Sequence, residues 1–204
     1  MQNFSQNNEQ EIILNYFGDK VGTLLSIGEN DGVTLSNSRA LILNGWSADL
    51  VEPAPIPMSN LKQIYLHNKK VNLIEAAICD YTGLMSFWVS GTHLGTGDSA
   101  LLSTLSLADK QKWEHTTTWN EVTVMAFTFT DFMKNRIERK YDFITIDAEG
   151  YDYKILEQID LLDLGCSCLC IEHNGVEKQK YIDYLTKFNM RVIYQNNENL
   201  IAVV

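Results

Sequence analysis

The segment from Leu24 to Gly32, LLSIGENDG, constrains the fold more than any other part of the sequence. An apolar strand runs there into a loop with Gly28 at its start and Gly32 at its end, and residues 34–43 then have the pattern of a helix that stops at Gly45. Such a turn gathers backbone N–H groups above a sheet edge, where they can bind polar or anionic groups. The segment therefore predicts a nucleotide-like ligand at this edge, and a tight turn without a ligand is the alternative.

A second strand, residues 46–52, ends in an acidic residue, Glu52. In doubly wound α/β folds, an acid about 20 residues beyond the glycine loop accepts hydrogen bonds from a ribose diol. Nicotinamide and S-adenosylmethionine sites both use this arrangement. The two features together therefore indicate adenosine without indicating the reaction.

Length and composition restrict the class of protein. The 204 residues, 45% of them apolar, suit one domain over 1–204, with a helical extension over about 1–18 and an irregular insertion over about 90–120. No run approaches the ~20 apolar residues of a membrane span, and the polar start, expected to fray, lacks the features of a signal peptide. These features predict a cytoplasmic protein away from membranes. A net charge of −10 disfavours nucleic acid as a partner.

The four cysteines do not form a recognisable metal site. Cys166, Cys168 and Cys170 alternate in CSCLC, and Cys79 stands alone. Zinc sites pair such a group with a second Cys or His cluster, which is not visible in the sequence. We therefore expect buried, reduced thiols.

Strands alternate with helices along most of the chain, and a hairpin around Asn196 closes it. This order predicts a mostly parallel sheet with helices on both faces and an antiparallel strand at its end, as in one large class of S-adenosylmethionine-dependent methyltransferases. The expected elements between the glycine loop and residue 139 are a rigid loop at residues 53–57, a helix over 59–67, a helix over 130–139, and strands over 71–77, 84–89 and 122–129.

Residues 90–120 are the least regular part of the sequence, rich in Gly, Ser and Thr. Long irregular stretches within a compact domain are often binding loops or lids, and a disordered insertion is the alternative. His93 and His115 lie in this stretch, where they would face either the substrate or solvent.

The stretch from Asp142 to Asp152, DFITIDAEGYD, carries the most specific signal. A buried strand ends at Asp147, and Glu149 and Gly150 follow before an amphipathic helix. Together with IGENDG, VEP and AAICDYTG, this stretch resembles the FkbM-type methyltransferases over about residues 20–175. TFTD at 128–131 resembles the T-[LF]-D segment of that family with one residue inserted, and GDSAL at 97–101 resembles its small-residue loop.

The resemblance implies a Rossmann-like class I methyltransferase fold with a seven-stranded sheet. It also implies S-adenosylmethionine as cofactor and a hydroxyl of a sugar or small metabolite as acceptor. The cofactor residues that it implies are Gly28, Glu29, Asn30, Asp31, Gly32, Glu52, Ala77, Ile78, Asp80 and Asp147, and the catalytic residues are Asp147, Glu149 and His173.

Two positions depart from the family pattern. Ser26 replaces an aspartate that often precedes the loop glycine by two residues, and Glu29 replaces an alanine that often follows that glycine. Glu29 would either meet the cofactor's amino group or be solvated.

Asp147 has several interpretations. It would act as a base, bind the cofactor's ammonium group, or join Glu149, Glu172 and His173 around Mg²⁺, an alternative that we do not favour. The structural alternative is an acid that caps the next helix through the N–H groups of Gly150 and Tyr151.

Two other functions compete with methyl transfer. A nicotinamide-dependent oxidoreductase needs a tighter G-x-G-x-x-G loop than GENDG and usually a second domain, for which no residues remain. A non-catalytic module that binds the nucleotide or S-adenosylmethionine would keep Gly28 and Glu52 without needing Asp147. The oligomeric state stays open, with a homodimer as one alternative.

Overall fold

A computed structural model describes residues 2–95, 98–134, 136, 140–173, 175 and 177–204. Its helices are α1 (Glu9–Phe17), α2 (Arg39–Leu43), α3 (Pro55–Ile64), α4 (Leu107–Lys112), α5 (Phe129–Lys134), α6 (Asp152–Leu156), α7 (Leu161–Leu164) and α8 (Lys178–Thr186). Its strands are β1 (Thr23–Ile27), β2 (Ser47–Val51), β3 (Val71–Ile74), β4 (Ala77–Ile78), β5 (Gly83–Ser90), β6 (Trp119–Phe127), β7 (Phe143–Ile146), β8 (Cys168–Glu172), β9 (Arg191–Gln195) and β10 (Asn199–Val203).

The main sheet has seven strands in the order β3-β2-β1-β7-β8-β10-β9. The five strands from β3 to β8 are parallel, whereas β10 is antiparallel to both β8 and β9. This arrangement confirms the predicted fold class. The strand order reverses between β1 and β7, which places a crevice at the carboxyl ends of these two strands, where open α/β sheets bind their ligands.

The central strands are apolar because both faces of the sheet are covered. Leu24, Phe143 and Cys168 pack on one face, with Trp46, while Leu25 and the residues beside it on β7 and β8 pack on the other. All four cysteines are buried and free, as expected. Burial raises the pKa of each thiol, so these side chains serve packing.

A second, three-stranded sheet has the order β4-β6-β5. The third strand, expected over 71–77, is divided: β3 belongs to the main sheet and β4 pairs with β6. The strands expected over 84–89 and 122–129 are β5 and β6, which pair antiparallel in this small sheet. Their burial alternates along the chain because one face of an antiparallel pair stays open.

Helix α2 begins at Arg39, five residues later than the predicted start. Leu35 has a φ of +56°, which is incompatible with a helix. The hydroxyl groups of Ser36 and Ser38 instead donate hydrogen bonds to the Glu29 carboxylate. A tertiary contact therefore overrides the helical pattern.

The prediction of a rigid loop over residues 53–57 is wrong, because α3 begins at Pro55. Pro55 and Pro57 occupy the first turn, where a backbone N–H has no partner within the helix and proline is tolerated. The helix predicted over 130–139 is described as α5 over Phe129–Lys134, and Arg136 is not helical. The predicted continuation falls partly on residues 135 and 137–139, which lie outside the described residues.

The amino-terminal arm, residues 2–8, is held by hydrogen bonds, so the expectation that it frays is wrong. The side chain of Gln10 accepts from the Phe4 N–H at 2.8 Å, and Ser5 forms a β-bridge with Leu35. Glu9 is buried and accepts from the Asn196 amide at 2.7 Å, which ties the arm to the turn between β9 and β10. Gln6 of the arm lines the cavity at the carboxyl ends of the parallel strands. Among the described residues, the model contains no helix that could span a membrane.

Candidate active site

A cavity of about 530 Å³ lies at the carboxyl ends of β1, β2, β7 and β8. This volume falls within the range of small-molecule sites. Residues of β5 and of the described parts of the stretch that follows it also line the cavity and form what we call its roof: Phe87, His93, Leu94, Ala100, Leu101, Leu102, Ser103, Leu105 and Trp113.

 

Eight of the twelve predicted site residues line the cavity. They are Gly28, Glu29, Asn30, Glu52, Ala77, Ile78, Asp147 and Glu149. The other four, Asp31, Gly32, Asp80 and His173, are not among its lining residues.

Gly28 lies where the glycine loop passes between β2 and β7. Its φ is +81°, and a Cβ atom there would lie 1.7 Å from the backbone oxygen of Asp147. Its N–H donates to the Val51 oxygen at 2.9 Å. Glycine is required because both the backbone conformation and the close approach exclude a side chain.

Glu29 is buried, so of its two predicted alternatives the solvated one is wrong. Its carboxylate accepts hydrogen bonds from the hydroxyls of Ser36, at 2.8 Å, and Ser38, at 2.7 Å. Burial raises its pKa in spite of these donors. The side chain joins the glycine loop to residues 33–38 and also lines the cavity.

Glu52 is also buried, at the end of β2. Its carboxylate accepts from the N–H groups of Asn30, at 2.8 Å, and Ala54, at 2.7 Å. Burial raises its pKa to about 7. Glu52 therefore connects the glycine loop to the start of α3 while it faces the cavity.

Asp31 and Gly32 shape the loop from outside the cavity. The Asp31 carboxylate accepts from the N–H groups of Val33, at 2.8 Å, and Thr34, at 2.7 Å. A Cβ atom on Gly32 would lie 2.6 Å from a methyl carbon of Leu61. The structure thus gives both residues a role in loop conformation rather than a place against a ligand.

The predicted adenine border is only partly at the cavity. Ala77 and Ile78 line it, although they belong to β4 of the small sheet and not to β3. Asp80 lies outside the cavity and forms an exposed ion pair with Lys154 at 3.2 Å. Its predicted position beside the ligand is wrong because the chain turns away after β4.

Asp147 follows β7 and is partly exposed to the cavity. Burial and the negative charges of Asp152 and Glu52 raise its pKa to about 7, while a hydrogen bond with Glu172 opposes the shift. Asp147 does not cap the next helix. Asp152 accepts instead from the N–H groups of Ala148, at 2.7 Å, and Gly150, at 3.0 Å.

Glu149 lines the cavity with a φ of +44°, and the Thr104 hydroxyl donates to its backbone oxygen at 2.6 Å. Burial and the charge of Asp147 raise the pKa of its carboxyl. His173 is buried outside the cavity lining, and its Nδ1 accepts from the Gly175 N–H at 2.9 Å. The neighbouring Glu172 faces the cavity instead, because successive strand residues point in opposite directions.

Part of the stretch over residues 90–120 lines the cavity. His93, Leu101 and Trp113 line it, and the rings of His93 and Trp113 lie 5.7 Å apart. The Asn30 side chain donates to the Ser99 oxygen at 3.2 Å, which connects this roof to the glycine loop. His115 is exposed, and Gly97 of the predicted small-residue loop lies outside the described residues.

The cavity is strongly acidic. Six carboxyl side chains line it, and its described lining residues include neither lysine nor arginine: the acids are Glu29, Glu52, Asp147, Glu149, Glu172 and Glu198. Sequence reasoning left Glu172 and Glu198 out of the predicted ligand contacts. The position of Glu172 at a strand end beside Asp147 was the available signal, whereas Glu198 depends on the fold of the closing hairpin.

Three carboxylates, those of Asp147, Asp152 and Glu172, offer oxygen atoms within 4.8 Å of one another. This spacing is compatible with a divalent cation. Acidic groups at such distances are common without an ion, and Asp152 already accepts two backbone hydrogen bonds. We therefore assign no metal to the cluster.

The acidic cavity predicts that the ligand-free protein loses stability as the pH rises. A glutamate in the unfolded chain has a pKa of 4.5, whereas the pKa of Glu52 in the fold is about 7. The folded chain therefore binds this proton more tightly than the unfolded chain. The corresponding stability is complete below pH of about 4.5 and is lost as the pH rises through about 7. Ionising this one carboxyl costs about 3 kcal/mol. Urea denaturation should therefore give a lower free energy of unfolding at pH 8 than at pH 5.5. A higher free energy of unfolding at pH 8 would contradict the assignment of this pH dependence to ionisation of buried Glu52.

The strand order, the crevice at the switch point and the glycine loop beside a strand-end acid are typical of the Rossmann-like fold of class I methyltransferases. The family model described as the methyltransferase FkbM domain matches residues 26–192. The chain belongs to this family, as the resemblance in its sequence implies.

Solved structures agree with this fold. The FkbM methyltransferase from Methylobacillus flagellatus has a TM-score of 0.58 and 11% identity, over 91% of this chain and 44% of that chain. The precorrin-6y C5,15-methyltransferase from Geobacter metallireducens has a TM-score of 0.52 and 10% identity, over 100% and 92%. The ribosomal protein L11 methylase from Lactobacillus delbrueckii has a TM-score of 0.52 and 12% identity, over 100% and 80%. At these identities the likeness shows the fold alone. The chain spans less than half of the FkbM structure, and no curated protein matches it.

Proposed function

We propose that this chain, as one methyltransferase domain, transfers a methyl group from S-adenosylmethionine to a hydroxyl oxygen of a sugar or another small metabolite. The observation that supports the proposal is a single cavity with the glycine loop and Glu52 on one side and Asp147 on the other. The family supplies the reaction class, and the cavity supplies a site of suitable size.

The side chains that line the cavity fit this cofactor. S-adenosylmethionine carries a methyl group on a positively charged sulfur, which is a good leaving group. Carboxylates favour a positively charged ligand, and the lining contains six of them. Glu52 can accept hydrogen bonds from the ribose, and Ala77 and Ile78 offer an apolar surface to the adenine. Glu29 is the residue that we propose for the cofactor's amino group.

The residues of the chain contribute alignment and proton transfer. Asp147, with a pKa of about 7, is suited to accept the proton of the acceptor hydroxyl near neutral pH. Roof residues such as Leu101 and Trp113 limit access of water, and positioning accounts for much of the rate of such a displacement. Glu149, beside Asp147, is the second acid that we place against the acceptor.

The acceptor that we propose carries no phosphate. A phosphate group would meet several carboxylates and, within the described lining, no lysine or arginine that could neutralise it. A neutral hydroxylated molecule avoids this repulsion.

Thermal unfolding with S-adenosylhomocysteine, the demethylated product, tests the cofactor. A ligand that binds only the folded state raises the melting temperature by mass action, by about 5–10 °C at a hundredfold excess over its Kd. We expect this rise with S-adenosylhomocysteine and none with NAD⁺. A rise with NAD⁺ alone would favour the nicotinamide enzyme and contradict the proposal.

Glu52→Ala should weaken the binding of S-adenosylhomocysteine by at least about tenfold, because the ribose loses a charge-assisted hydrogen-bond partner. Calorimetry measures the change, and the melting temperature of the variant shows whether the fold survives. Asp80→Ala is the matched control, since Asp80 lies outside the cavity. Unchanged affinity in Glu52→Ala would remove Glu52 from the cofactor site.

A further inference from the structure

Asp147 and Glu172 form a carboxyl pair in the cavity wall. Strands β7 and β8 are parallel neighbours, and Ile146 pairs with Ile171. Asp147, which follows β7, and Glu172, the last residue of β8, therefore lie side by side. Both residues line the cavity, and a hydrogen bond connects their side chains. The pair is therefore part of the wall that a ligand contacts.

The groups that face this pair are acidic. Asp152 lies behind it, with a carboxylate oxygen within 4.8 Å of both partners. The charges of Glu52 and Glu29 also act on Asp147, and that of Asp147 acts on Glu149. The pair thus lies in a region of negative potential that a positively charged ligand would relieve.

We propose that the Asp147–Glu172 pair makes the site select the positively charged cofactor over its uncharged product. The proposal rests on the proposed function: Asp147 takes the proton of the hydroxyl that attacks the methyl group, so the sulfur that carries this methyl group lies on the same side of the cavity. S-adenosylmethionine and S-adenosylhomocysteine differ by one methyl group and one positive charge on that sulfur. The pair attracts the charged form, so transfer of the methyl group removes the attraction and favours release of the product.

The ratio of the two dissociation constants tests this proposal without an acceptor. In the wild type we expect S-adenosylmethionine to bind about tenfold more tightly than S-adenosylhomocysteine, as one charge contact in a partly screened site allows. Glu172→Gln should lower this ratio several-fold and leave the affinity for S-adenosylhomocysteine nearly unchanged. Calorimetry with each ligand alone provides all four values.

Asp80→Asn is the matched control, because it removes the same charge from the chain outside the cavity and should leave the ratio unchanged. If Glu172→Gln does not fold, the ratio of the two dissociation constants in the wild type still tests the proposal. Binding of both ligands with equal affinity, or tighter binding of S-adenosylhomocysteine, would overturn this inference alone. Failure of both ligands to bind would overturn the proposed function instead.

Discussion

Asp147→Asn is expected to abolish methyl transfer while most of the affinity for S-adenosylhomocysteine remains. Asparagine has nearly the same shape as aspartate but cannot accept the proton of the acceptor hydroxyl, and loss of a general base typically lowers the rate by about 10²–10⁴-fold. Transfer of labelled methyl groups to an acceptor of the wild-type enzyme measures the rate, and calorimetry measures the binding. Full turnover by the variant would remove Asp147 from catalysis.

The pH profile provides an independent measure of the same role. The pKa of Asp147 is about 7, and a base must be ionised to act. The wild-type rate should therefore rise as the pH increases through about 7. Asp80→Asn, altered outside the cavity, should retain both the rate and this rise.

Gly28→Ala is expected to destabilise the fold by more than about 4 kcal/mol, an exceptional loss for one substitution. The added Cβ would lie 1.7 Å from the backbone oxygen of Asp147, so the glycine loop and the end of β7 would have to separate. The positive φ of +81° adds about 1–2 kcal/mol of strain. Urea denaturation measures the loss.

Gly45→Ala separates the strain of the positive φ from the close approach of Gly28 to Asp147. Gly45 has a similar φ of +93°, but a Cβ atom there would have nothing within 4 Å. Its substitution should therefore cost only the strain of the backbone conformation. Equal losses in the two variants would show that the close approach of Gly28 to Asp147 does not limit stability.

The sequence predicted the main sheet well because its signals are local. Continuous apolar runs in β7 and β8 indicate strands covered on both faces, and glycine marks the turn at Gly28. The small sheet was not predicted, because alternating residues in β5 and β6 show that one face is open without showing which sheet the strands join.

The start of α2 shows a second limit. Residues 34–38 have a helical pattern, but the buried Glu29 carboxylate binds the hydroxyls of Ser36 and Ser38 and holds them in a loop. Such a contact depends on burial of Glu29, which sequence periodicity does not report.

The candidate site was predicted best where a residue directly follows a strand of the main sheet. Gly28, Glu52 and Asp147 follow β1, β2 and β7, and all three line the cavity. Asp80 and His173 were misplaced because their side chains point away from it. Side-chain direction at a strand end depends on the local turn, which residue type alone does not determine.

The roof residues of the cavity lie close together in the sequence, between Phe87 and Trp113. Strands β4, β5 and β6 pair with one another and form no ladder with the main sheet. Side chains such as Leu101 and Trp113 can therefore be exchanged without breaking a hydrogen bond of the seven-stranded sheet. Under the proposed function, the roof can therefore diversify for new acceptors, whereas β4, with its proposed adenine contacts Ala77 and Ile78, and the ends of the main strands stay constant for the cofactor.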